Sequence, residues 1–152
     1  MIKNLTIVFL ATASAIGPCS GIVQNMLIQS WSDPAKDEPG PIRIFPALPS
    51  AWEDVEFHDL RAEGAFLVSA KRSAGKTEWV RIKSLAGEPC RVRTDMTGAI
   101  CSKGDRQFKL ESVSPGTYHL DLKQGEEVLL YPGTASSSLP AEPSSPRPQP
   151  KQ

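Results

Sequence analysis

Pro41-Ile42-Arg43-Ile44-Phe45-Pro46-Ala47-Leu48-Pro49-Ser50-Ala51-Trp52 opens the part of the chain that decides the fold. It is followed by Val55-Glu56-Phe57-His58-Asp59-Leu60-Arg61, then Phe66-Leu67-Val68-Ser69-Ala70, then Trp79-Val80-Arg81-Ile82-Lys83. Apolar and polar residues alternate within each run, and Gly, Pro and Ser separate the runs. Alternation with a period of two places one set of side chains on each face of a strand. Short alternating runs bounded by turn residues form a small antiparallel β domain.

Moving outward, the same grammar continues to Gly133. Ile42–Phe45 is a short strand, and Pro46 and Pro49 keep Ala47-Leu48 out of a central strand. Val55 and Phe57, with Asp59, point one way; Glu56, His58 and Leu60 point the other. Ser73-Ala74-Gly75-Lys76 is a hairpin turn with Gly75 suited to positive φ. Val80 and Ile82 share a face opposite Trp79, Arg81 and Lys83. Further strands follow at Cys90–Thr94, Gly98–Ser102, Phe108–Leu110, Tyr118–Leu122 and Glu126–Tyr131. Pro115-Gly116 and Gly125 mark turns. Tyr118, Leu120, Leu122, Val128 and Leu130 face inward. Eight or nine short strands at spacings of roughly 8 to 12 residues predict an all-β, antiparallel β-sandwich over 41–133.

The flanks differ from this core. Residues 134–152 hold five prolines and five serines with Leu139 as the one large aliphatic residue, too little apolar surface to offset ordering entropy, so a disordered tail is expected. In residues 1–20, Lys3 precedes the apolar run Leu5–Leu10 and Ala13-Ser14-Ala15 has small-x-small form, the pattern of a signal peptide. The other reading of this segment is an N-terminus unrelated to the domain. The apolar run is shorter than the roughly 20 residues a membrane span needs. A signal peptide at 1–15 implies a secreted or periplasmic protein.

Gly21–Trp31 places Ile22, Val23, Met26, Leu27, Ser30 and Trp31 mostly on one helical face. Pro34 ends that helix. About 11 residues of helix are marginal alone and need a surface to pack on.

Seventeen basic and seventeen acidic residues give a formal net charge of zero, so there is no electrostatic case for nucleic acid or an anionic membrane. Arg91, Arg93, Lys103, Arg106 and Lys109 alternate with Asp95 and Asp105 as a mixed solvated face. Cys19, Cys90 and Cys101 form no CxxC pair and have no histidine cluster, so no zinc site or other metal or cofactor is indicated. Cys90 and Cys101 either bridge neighbouring strands or serve as small buried residues.

No assembled catalytic site is visible. Glu53-Asp54 and Glu126-Glu127 are adjacent on strands and point to opposite faces. Asp54, Glu56, Asp59 and Glu63 would make a glycosidase pair only if the fold brought two across a cleft. His58 and His119 sit beside Asp59 and Asp121 on alternating strands. Ser30, Ser84 and Ser114 lack a nucleophile elbow, and there is no phosphate loop or dinucleotide motif. Trp79 and Trp52 are the candidate carbohydrate contacts, as aromatics able to stack on sugar rings; Trp52 alternatively plugs the domain edge.

Ile42–Trp52, with Leu60–Ala70 and Ile82–Val92, resembles the C-terminal β domain of family 95 glycoside hydrolases, the α-L-fucosidase-type enzymes and their relatives. Met26-Leu27-Ile28-Gln29-Ser30-Trp31 is similar to the last helix of their (α/α)6 barrel. The resemblance spans about residues 21–132. It implies that 21–33 is a barrel remnant and that Ile22, Met26, Leu27 and Trp31 face the barrel. In that family the catalytic carboxylate and its Asn and Asp helpers lie on the barrel, upstream of this helix, and no residue here matches them. The implied role is a non-catalytic accessory domain whose partner is the barrel, within an enzyme acting on fucosylated glycans. The alternative is a free-standing secreted carbohydrate-binding module, and a third reading has Asp54 and Glu56 converging as a residual glycosidase site.

Overall fold

A computed structural model describes residues 7–10, 20–32, 35 and 39–133, with the backbone alone described at 7–10 and 20. The rest of the signal-like segment and the Pro/Ser-rich tail 134–152 lie outside the described residues. The described part is a two-sheet β-sandwich with one short helix.

The larger sheet has the order β1 (Ile7–Leu10), β4 (Val55–Ala62), β5 (Phe66–Ser73), β6 (Lys76–Ser84), β12 (Glu127–Pro132), β8 (Ala99–Lys103) and β9 (Arg106–Lys109). The smaller sheet runs β10 (Ser112–Ser114), β11 (Thr117–Leu120), β7 (Cys90–Arg93), β3 (Ile42–Ile44) and β2 (Ile28–Gln29). Pairing is antiparallel except at β1–β4 and β3–β7, which are parallel. All nine expected strand regions are present, and β1, β2 and β10 add to them.

The core lies between the sheets. From the large sheet it takes Val55, Phe57, Leu60, Phe66, Val68, Ala70, Val80, Ile82, Val128 and Leu130; from the small sheet, Ile42, Ile44, Val92, Tyr118 and Leu120. Fully burying one such side chain is worth about 1.5–3 kcal/mol. Phe45 and Phe57 meet edge to face, with centroids 5.4 Å apart and planes at 74°. That geometry sets a ring edge against a ring face and adds to area burial.

Two expectations are corrected. The alternation in β4 does not run through to Leu60. The β4–β5 register shifts between Phe57 and Leu60, and Asp59 takes φ of 52°. This bulge consumes one residue, so Leu60 turns inward and is buried at 4%, while Asp59 is left on the outside. The N-terminal helix also stops early. Helix α1 covers Ser20–Leu27, after which Ile28 pairs with Ile44 and Gln29 with Arg43. Strand pairing of β-branched Ile28 with a buried neighbour outweighs one more helical turn.

The segment after α1 is tied to the sandwich by polar contacts. The Phe45 amide donates to the Leu27 carbonyl at 2.8 Å. The Glu63 amide donates to Ser30 Oγ at 2.9 Å, and Ser32 Oγ donates to Glu63 Oε2 at 2.9 Å. The Gly40 amide donates to Ser32 Oγ at 3.0 Å. A Cβ at Gly40 would run into the Trp31 carbonyl oxygen, so glycine is the residue that permits this approach.

The connection from the small to the large sheet, residues 94–98, is held from inside. Tyr118 Oη donates to the Met96 carbonyl at 2.9 Å and accepts from the Ala99 amide at 3.4 Å. Tyr118 is 2% exposed, so these backbone groups have no water to replace it. Gly116 shares the same corner, with φ of 69° and the Thr94 amide donating to its carbonyl at 2.8 Å.

On the large sheet, Glu126 joins the turn before β12 to β8. Its carboxylate accepts from the Lys103 ammonium at 2.6 Å and the Lys123 amide at 2.7 Å. The Lys103 hydrogen bond first, and the Lys123 amide second, hold its pKa below the ordinary 4.5.

Tyr118→Phe keeps the ring and removes the hydroxyl, leaving the Met96 carbonyl and Ala99 amide unsatisfied. The expected loss is about 1–3 kcal/mol in urea unfolding. Because the Glu126 pKa is lower folded than unfolded, its contribution is complete above the ordinary carboxylate range. It is lost as pH falls from there through the folded value. Acid unfolding of Glu126→Gln is expected to lack that component, so its stability should fall less than wild type's between pH 5 and 2.

Candidate functional site

Strand β4 and the residues that flank it carry Asp54, Glu56, Asp59 and Glu63, and each has a structural partner. Asp54 stands at the start of β4 and caps the β5–β6 hairpin. It accepts from Ser73 Oγ at 3.1 Å and the Ala74 amide at 2.9 Å. Ala74 and Gly75 both have positive φ, 48° and 74°, as a two-residue hairpin turn of this type requires. Glu56 and His58 lie two apart on one strand face, and His58 Nε2 is 3.0 Å from Glu56 Oε1. His58 thus pairs with Glu56 rather than with Asp59, its neighbour in sequence, because adjacent strand residues diverge and the bulge intervenes.

Asp59 sits over the outer face of the large sheet. Ser69 Oγ accepts from the Asp59 amide at 3.0 Å. Arg81 Nη2 lies 3.5 Å from Asp59 Oδ1 and 3.2 Å from Ser69 Oγ. Glu63 holds the α1 segment as described. The four carboxylates therefore stabilise a bulge, a turn, a strand face and an inter-element tie.

Asp54 and Glu56 do line one shallow pocket of about 240 Å³, with Val55, Lys71, Arg72 and Ser73. Its charged groups are engaged with other residues. Lys71 pairs with Glu78 at 3.3 Å and Arg72 with Asp95 at 3.9 Å. A hydrolytic pair needs one carboxyl as acid and another as base or nucleophile, both aimed at a sugar. Here one carboxylate caps a turn and the other meets an imidazole.

The aromatic candidates are placed differently from the expectation. Trp79 is on the outer face of β6, opposite Lys71, but is 3% exposed. One register step past the Leu130–Val80 pair puts it beside Tyr131, itself buried at 8%. His58 packs near it, with ring centroids 6.2 Å apart. Outward strand parity did not mean exposure: the indole is buried on the outer face, with the His58 ring packed near it. Trp79 accordingly presents no open ring face for a sugar. Trp52 is half-buried and packs against the sandwich core, the edge-plug alternative.

The exposed large apolar residues are Ile22 at 67%, Trp31 at 56%, Phe108 at 46% and Val113 at 66%. The exposure of Phe108 was not readable from its strand, since its register partner, Cys101, is buried in the core. Phe108 has the inward parity but lies on edge strand β9, past the reach of the opposing sheet. It contributes, with Ile100, Gln107 and Lys109, to a surface pocket of about 400 Å³.

The stripe of α1 is divided. Leu27 is 0% exposed and joins the sandwich core, with Val23 packed against it. This corrects the expectation that Leu27 faces outward with Ile22. At 100° per residue Leu27 lies about 140° around the helix from Ile22, so one cannot be docked with the other. Met26 is partly buried, and Ile22 stays in solvent. Trp31 lies beyond the helix and carries the Arg43 guanidinium over its ring, 4.8 Å from the centroid.

Arg43 points out from β3, between buried Ile42 and Ile44, and pairs in register with Arg93 on β7. Arg91, two residues earlier on β7, donates to the Pro39 carbonyl at 2.7 Å. Of the serines considered as nucleophiles, Ser30 and Ser84 accept backbone hydrogen bonds from Glu63 and Gly87, and Ser114 is on edge strand β10. Among the described residues there is no group of three His, Cys, Asp or Glu placed to hold a metal ion. No helix among them is long and apolar enough to cross a membrane.

Cys90 and Cys101 are free thiols on strands of different sheets, both buried. Burial pushes the Cys90 thiol to about 12. Burial also raises Cys101 to about 11, against a smaller opposing effect of Lys103. Desolvation disfavours the thiolate, and the thiolate is the reactive species.

Residues 37–130 match the family model of the glycoside hydrolase family 95 C-terminal domain. No curated protein matches the chain.

Neither Cys90 nor Cys101 is expected to react with iodoacetamide at pH 8 in the folded protein, and both should react once urea unfolds it. Mass spectrometry of peptides carrying these residues reads the outcome; native labelling at either would contradict the burial.

Proposed function

This chain belongs to the glycoside hydrolase family 95 C-terminal domain family, and from that premise we propose that it is the accessory, non-catalytic domain of an α-L-fucosidase-like enzyme. Its partner in this reading is the (α/α)6 catalytic barrel, and its role is to brace that barrel. The observation that carries the reading is on the α1–β2 edge. Ile22 and Trp31 remain 67% and 56% exposed there, although Leu27 and Ile28 alongside them are buried. Large apolar side chains left in water on the segment that enters the sandwich fit a surface that a partner covers. Met26 extends the same surface.

The residues of the domain also support an accessory role. Asp54, Glu56, Asp59 and Glu63 each hold a local structure, as described above. An activity supplied from elsewhere in an enzyme leaves such a domain free to use its carboxylates in this way.

Purified chain is expected to release no aryl alcohol from an aryl α-L-fucoside above the buffer rate. The double variant Asp54→Ala, Glu56→Ala should behave identically. Turnover by wild type that disappears in the double variant would overturn the accessory reading and place a working site in the pocket at the start of β4.

A further inference from the structure

The outer face of the small sheet carries an unbalanced pair of arginines. Arg43 and Arg93 are register partners on the parallel strands β3 and β7. Their inward neighbours, Ile42, Ile44 and Val92, fix both guanidinium side chains to the outer face. Like charges placed directly opposite on neighbouring strands are destabilising. Among the described residues neither arginine has a carboxylate partner, whereas Lys71, Arg72, Arg81 and Lys103 all do.

A second observation makes the imbalance sharper. Arg43 Nη1 is shielded from solvent and has no hydrogen-bond partner among the described residues. A buried guanidinium N–H left unmade costs more than a neutral one, because the donor carries charge. Arg43 is also held in place: its guanidinium carbon sits over Trp31, 4.8 Å from the ring centroid. An exposed arginine in register with a second one on the same face is suited to a carboxylate, which accepts two parallel N–H bonds from a guanidinium fork.

Trp31, the residue that stacks on Arg43, is itself 56% exposed and belongs to the edge that the proposed function covers. Trp and Arg are both among the residue types enriched at the energetic centres of protein interfaces. We propose that Arg43 and Arg93 form the charged anchor of that interface. They receive an Asp or Glu carboxylate from the catalytic domain as it closes over Trp31 and Ile22. The proposal rests on the accessory-domain reading and adds its chemistry: the partner surface is acidic at this point. The incoming carboxylate would accept from exposed Arg93 and offset the positive charge that the two arginines place on this face.

The test is binding of the full chain to the catalytic domain of a family 95 glycoside hydrolase produced without its own C-terminal domain. Titration calorimetry at low and physiological salt reads the affinity. Arg93→Glu is the principal variant, because Arg93 is exposed and its replacement leaves the core untouched. Arg43→Gln is the second, and Ile22→Ser serves as the apolar control. Wild type is expected to bind, Arg93→Glu to bind at least about tenfold more weakly, and the salt dependence to flatten in Arg43→Gln. If Ile22→Ser weakens binding but Arg93→Glu stays within about twofold of wild type, the anchor is wrong and the docking reading stands. If wild type does not bind at all, both fall. If instead the chain alone binds galacturonate, and Arg93→Glu abolishes this without any affinity for the catalytic domain, the site serves an acidic sugar and the proposal is overturned.

Discussion

The period of two in β4, β5, β6 and β12 is the constraint on which the rest depends. It places Val55, Phe57, Val68, Ala70, Val80, Ile82, Val128 and Leu130 on one face of a continuous four-strand surface. Slipping any of these strands by one residue would exchange that face for its polar counterpart. The small sheet meets it with Ile42, Ile44, Val92, Tyr118 and Leu120. Register is therefore enforced by burial from both sides, and the turns have only to permit it.

On that platform the N-terminal segment is part of the sandwich and not an appendage. Leu27 and Ile28 are buried in the same core, and Ser30, Ser32, Glu63 and Gly40 lace the following residues to the β4–β5 corner. The helix contributes one side to the core through Val23 and Leu27 and keeps Ile22 on the other. What remains outside is Ile22 on α1 and Trp31 beyond β2, with the Arg43 guanidinium over the Trp31 ring and Arg93 in register with Arg43. These residues combine apolar area, an aromatic platform and two arginines with no carboxylate partner among the described residues, which is why the functional reading concentrates there and not on the carboxylates of β4.

Much of this was legible in the chain. The positions of the nine main strands, the inward residues of β11 and β12 and the Ser73–Lys76 turn all follow from local alternation and turn chemistry. The burial of Cys90 and Cys101 as free thiols followed as one of two readings. The misplacements have one cause in common: each needs a neighbour that is distant in sequence. The bulge at His58-Asp59 is visible only against the register of β5. Trp79 is outward by parity yet buried, with His58 packed near its ring. Phe108 is inward by parity and exposed because β9 has no sheet opposite it. Helix α1 ends where β3 offers Ile28 a partner.

The amino-acid sequence by itself determined the class of fold, the strand spacing and the family, because these rest on short-range periodicity and on runs of residues read in order. Only the tertiary structure decided which of those residues face water. It divided the apolar stripe of α1 between core and solvent and engaged every carboxylate of β4 locally. It also set Arg43 against Arg93, fifty residues apart in the chain and opposite each other on neighbouring strands. Exposure and charge pairing are properties of what lies across a sheet or beyond its edge, and no local pattern in the chain encodes them.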